Sequence, residues 1–281
     1  MAAVEANRER PSVDELLEAV DAVWNDVDRL RALVHGALDA GFGPEVLPAA
    51  ERVRVLDPDL DRGVVLYAQA LSACGRDDRA EEELVRHIRA RGGHADTWFA
   101  LAGLADRRDD DEDVATALDQ ALRCDPDHAD ALVWGWRRHA ERHGPQQADA
   151  WLAELAPGSW RATVMLGERV LYRDDVAQAV ELFGAACARA GRRGEALRRA
   201  ARALAARGHD AECVALVTAH WSASHGPLPL VEAIEAQLRL GRVSEAVLGL
   251  ARLRGLRDAE DHPEVADLYR RVEHLRAQHG L

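Results

Sequence analysis

The chain has 281 residues, 48% of them apolar and only 5% aromatic, enough apolar mass for one large or two ordinary domains with a core. Its net charge of −13 is uneven: residues 1–140 carry 30 acids against 17 arginines, whereas residues 141–281 carry 19 of each, so the two halves present different faces to partners. No run approaches the roughly eighteen apolar residues of a membrane span, and the N-terminus is charged with no apolar stretch behind it, so a cytoplasmic protein is expected.

In chain order, residues 1–11 read as a disordered tail. Ser12 with Glu15 three places on is a capping-box signature, opening a helix that runs to about Trp24 and makes residues 12–26 an N-terminal capping element. A repeat then sets in. Asp57-Pro58-Asp59 and Asp125-Pro126-Asp127 place their prolines 68 residues apart, twice 34. With proline at place 32, units begin at Val27, Asp61, Ala95 and Ala129. The unit over 129–159 is short and irregular, with Gly135 and Trp136 at unusual places and an early close at Pro157-Gly158; units resume at Trp160, Gly194 and Pro227. The repeats thus fill 27–260, and Pro263 lies in the first turn of a capping helix within 261–281.

Residues that did not define this phase agree with it. Place 20 holds Val46, Ala80, Val114, Ala148, Ala179, Cys213 and Ala246, all small or β-branched. Place 24 holds Ala50, Leu84, Leu118, Leu152, Phe183, Val217 and Leu250. Place 15 holds Gly41, Gly75, Gly208 and Gly241, where glycine ends a helix in the left-handed conformation. Small residues at place 8 (Ala68, Ala102, Gly167, Ala201) let two helices approach closely, with Ala179 expected to face Gly167.

The unit from Trp160 carries Leu166-Gly167, Ala179, Phe183 and Ala186, and the unit from Ala95 carries Trp98, Leu101, Ala102, Ala121 and Pro126. These residues resemble the tetratricopeptide repeat family. The resemblance implies an all-α, right-handed solenoid of about seven helix-turn-helix repeats with terminal capping helices, the first helix of each pair lining a concave groove. It implies a protein-protein interaction scaffold, not an enzyme, with no cofactor and no catalytic or metal-binding residue.

Other chemistry has weaker support. The run Asp109, Asp110, Asp111, Glu112, Asp113 has the aspartate-rich spacing by which an all-helical enzyme holds magnesium and a diphosphate substrate. The repeat phase puts it in a turn, where acids are solvated and favour the next helix N-terminus. His139 and His143 share a helix face but have no third ligand in sequence. His87 and His220 fall at place 27 and read as packing residues, and Cys74, Cys124, Cys187 and Cys213 are too scattered for a metal or redox pair and read as buried thiols.

Within the resemblance, places 2, 5, 9 and 12 of each first helix face the groove. They supply Arg62, Val65, Gln69 and Ser72 in one unit and Asp96, Phe99, Gly103 and Asp106 in the next. Further on come Arg161, Val164 and Glu168, then Glu195, Arg198 and Arg202. Every basic residue is arginine, so the Lys-and-Asn clamp by which some members hold a peptide carboxylate cannot be present. Residues 189–207 contain seven arginines and one acid, which points to a carboxylate- or phosphate-bearing partner such as an acidic peptide, with Arg161, Arg198 and Arg202 receiving it. The net charge and the scarcity of aromatics argue against nucleic acid.

Overall fold

In the computed structural model the described residues are 12–256, 259 and 261–279; the expected tail at 1–11 lies outside them. Among these residues are sixteen α-helices, one 3-10 turn and no strand. The chain forms two compact units, Met1–Ala131 and Leu132–Leu281. The first contains α1 (Val13–Ala22) and the hairpins α2 (Val27–Asp39)/α3 (Gly43–Leu56), α4 (Leu60–Ala73)/α5 (Asp77–Arg91) and α6 (Ala95–Asp106)/α7 (Asp111–Cys124). The division falls within α8 (Ala129–His143). The second unit continues with α9 (Pro145–Leu155), α10 (Trp160–Tyr172)/α11 (Val176–Ala190), α12 (Gly194–Ala206)/α13 (Asp210–His220), the 3-10 turn Ala223–His225, α14 (Leu228–Arg239)/α15 (Val243–Arg254) and α16 (Pro263–His279).

Within each unit the packing is that of a solenoid. α4 packs on α5 and on α2 and α6, its counterparts in adjoining hairpins; α12 does the same with α13, α10 and α14. No hairpin buries its apolar face alone, so neighbours complete it. All seven place-20 residues are fully buried, and the place-24 residues are at most 4% exposed. The volume exchange between paired helices differs from the simple small-on-small expectation. A Cβ on Gly167 would stand 2.6 Å from the Phe183 ring, so Phe183 and not Ala179 fills the space opposite it. Gly135 likewise receives Trp151, and Gly249 receives Ile234, each with 2.6–2.7 Å to a would-be Cβ. A missing side chain on one helix admits a large one from the other.

Local signals fix where helices begin and end. Asp26, Asp59, Asp110, Ser159 and Asp175 each cap a helix by accepting from a backbone N–H in its first turn. Ser12 and Glu15 close a reciprocal capping box on α1. Gly41, Gly75, Gly208 and Gly241 have φ between 69° and 81°, and Asp109 and Asp174 take the same place at φ 56° and 64°. The turn therefore needs a left-handed residue whether or not the sequence supplies glycine.

Three carboxylates are buried with partners. Asp57 accepts from Arg31 Nη1 (3.0 Å), Arg62 Nε (3.0 Å) and Nη2 (2.7 Å), and the Asp59 N–H (2.9 Å). The Arg62 bonds, followed by the Asp59 and Arg31 bonds, outweigh burial and hold its pKa at about 2. Glu83 lies among Arg54, Arg79 and Arg86, and Asp149 accepts from Trp136 Nε1 (3.1 Å), Arg169 Nε (3.3 Å) and Arg173. Each charge is tied to neighbouring repeats or helices, which makes these pairs fasteners of the stack.

Candidate functional site

Successive first helices of the first unit leave a cleft of about 530 Å³. Equivalent places line it: Arg62 and Asp96 at place 2, Val65 and Phe99 at place 5, His35, Gln69 and Gly103 at place 9. Val65 and Phe99 are half-buried floor residues, and Gly103 leaves room beside them because nothing lies within 4 Å of a Cβ built there. His128 stacks at a tilt on Phe99, with ring centroids 5.0 Å apart. Its Nδ1 accepts from the Ala131 N–H (3.1 Å), which leaves Nε2 to donate to Asp96 Oδ1 (3.1 Å). Gln69 and His35 are exposed and form no hydrogen bond or ion pair among the described residues.

The structure thus brings Arg62, Val65, Gln69 and Phe99 together in one cleft. The other sequence-derived candidates, Arg161, Glu168, Arg198 and Arg202, belong to the second unit, where all but Arg202 are paired among the described residues. Arg161 donates to Glu195 (2.7 Å) and lies over the Trp160 ring (4.5 Å). Glu168 accepts two bonds from Arg199, both 2.7 Å, and Arg198 stands 3.8 Å from Glu264. Burial raises the Glu232 carboxyl, while Arg202 and then Arg198 oppose that shift, which places both arginines in the field of that acid. Val164, expected on the groove, is fully buried in the core. Charge pairing across repeats separates i from about i+31 to i+34, beyond any local sequence signal; a search for acids one repeat away from each arginine would have found it.

The other candidates have structural partners. Asp110 caps α7, Asp111, Glu112 and Asp113 fill its first turn, and Asp109 occupies the left-handed turn place. His139 hydrogen-bonds with the Gly135 carbonyl oxygen (2.9 Å) and stacks on Trp151 with centroids 4.7 Å apart, while His87 Nε2 bonds Asp61 (2.8 Å). No cluster of three or more metal-ligating side chains occurs among the described residues. Cys187 and Cys213 are buried, which pushes their thiols up to about 11 and about 12. Cys74 is half-buried and Cys124 exposed, so the expectation of buried thiols fails for Cys124, the last residue of α7, whose Sγ donates to the Gly93 carbonyl oxygen (3.3 Å).

Paired helices, left-handed place-15 turns and the stacking of first helix on first helix make this an all-α helical-repeat protein. No family model matches the sequence, and no curated protein matches it significantly. Among solved structures it is similar to PilW, a type IV pilus biogenesis factor (13% identity, 75% of this chain and 99% of that one, TM-score 0.40). It is also similar to a tetratricopeptide repeat protein from Parabacteroides merdae (13%, 88% and 98%, TM-score 0.36). A third is the TPR2AB domain of yeast Sti1 in its pHSP90 complex (16%, 88% and 98%, TM-score 0.35). Likeness at this level concerns helical-repeat character alone. No helix among the described residues is long and apolar enough to cross a membrane.

Proposed function

We propose that the chain is a protein-interaction scaffold whose first unit holds an extended segment of a partner against α2, α4 and α6. The observation that carries this reading is the cleft itself: an apolar floor of Val65 and Phe99 flanked by Gln69 and His35, polar side chains with no partner among the described residues. A carboxamide both donates and accepts, as an extended backbone requires, and half-buried apolar residues offer anchoring area. Arg161, Glu168 and Arg198 pair with Glu195, Arg199 and Glu264 within the second unit, which leaves them less available to the acidic ligand that the arginine-rich segment suggests.

The test is affinity capture from the native lysate with the wild-type chain, with Phe99→Arg plus Gln69→Ala, and with Arg198→Glu plus Arg202→Glu. The first double variant is expected to lose the captured partner while keeping the wild-type circular dichroism, and the second to retain it. Capture lost only with the second pair would put the binding surface on the second unit and overturn the proposal.

A further inference from the structure

The cleft conceals a charge imbalance. Both arginines that reach it already serve carboxylates outside its lining: Arg62 makes two bonds to Asp57 (3.0 and 2.7 Å), and Arg107 Nε bonds Asp77 Oδ2 (3.3 Å). The acids that line it are less engaged. Asp96 is exposed and accepts from His128 (3.1 Å), with His94 Nδ1 3.4 Å away. Asp130 is exposed and makes no hydrogen bond or ion pair among the described residues. Both acids occupy place 2, in the first turns of α6 and α8, where a helix end supplies only about half a positive charge against each full carboxylate. The surrounding field has the same sign, because residues 1–131 hold 30 acids against 15 arginines, a net of −15.

We infer that the segment this cleft takes is cationic, with an Arg or Lys side chain pairing to Asp130 and Asp96 while an apolar neighbour lies on Val65 and Phe99. An anion entering the cleft meets guanidinium groups already paired with Asp57 and Asp77, whereas a cation meets Asp130, a carboxylate with no partner among the described residues. The inference rests on the cleft reading above and fixes its ligand class, opposite in sign to the one the arginine-rich segment of the sequence suggests.

Three benzophenone-tagged decapeptides alternating leucine with arginine, glutamine or glutamate test it on the full chain. The arginine peptide is expected to bind tightest and to cross-link within α4 or α6. Asp130→Asn should weaken it about fivefold, the size of one good exposed pair, whereas Asp119→Asn, exposed on α7 and outside the cleft lining, should not. Salt near 1 M, where the screening length is about 3 Å, should bring the arginine and glutamine peptides together. Equal losses from the two Asn variants would reduce the attraction to a diffuse field and overturn the assigned pairing. Equal affinity of all three peptides with cross-links still in α4 or α6 would overturn the charge preference and leave the cleft reading standing. No cross-link there with any peptide would overturn both.

Discussion

Adding one methyl group at Gly167 tests the volume exchange that joins α10 to α11. Its Cβ would stand 2.6 and 2.8 Å from two atoms of the Phe183 ring, and that ring is fully buried. Overpacking of this kind costs about 1–3 kcal/mol, while replacing glycine by alanine inside a helix returns about 1 kcal/mol. Gly167→Ala should therefore destabilise by up to about 2 kcal/mol. Removing the ring reverses the sign. In a Phe183→Leu background, itself costing roughly 1–2 kcal/mol, the same change should stabilise by about 1 kcal/mol, a coupling of about 1–3 kcal/mol between the two sites. Gly36→Ala, where nothing lies within 4 Å of the new Cβ, supplies the clash-free reference and should stabilise. Urea unfolding followed by circular dichroism reads the midpoints of the wild type and the four variants. If Gly167→Ala raised the midpoint as Gly36→Ala does, or shifted it equally in both backgrounds, the packing argument would be refuted.

Asp109 and Asp174 hold left-handed turn places that four other repeats give to glycine, so Asp109→Gly and Asp174→Gly should each raise stability by about 0.5–1 kcal/mol in thermal melts, the latter less because it removes the exposed Arg207 bond (3.1 Å). Asp57 has a folded pKa of about 2, below its unfolded value, so its contribution is fully present above about pH 4 and is lost as pH falls towards 2. Stability measured across that window should drop by roughly 2 kcal/mol more in wild type than in Asp57→Asn, and equal slopes would contradict the assignment. With a disulfide reagent at pH 8, Cys124 should react fast and Cys187 and Cys213 slowly, since burial keeps their thiols protonated; Cys124→Ser should abolish the fast phase.

The sequence by itself determined the repeat. Periodicity, small residues at place 20 and capping side chains act within a few residues or recur every 34, so the helix pairs could be read from the chain, with the repeat starts read at Asp61 and Pro227 one residue from the helices that begin at Leu60 and Leu228. The left-handed turn was legible where glycine marked it and hidden where Asp109 and Asp174 adopt it, because the turn is imposed by the hairpin and not by residue preference. Which arginines keep an unengaged charge was not legible at all. Arg161, Arg198 and Arg199 look like a cationic patch in one dimension, but stacking sets Glu195, Glu264 and Glu168 beside them. Coulomb pairing depends on distances of a few ångströms between side chains some 30 or more residues apart, and only the folded stack supplies those distances.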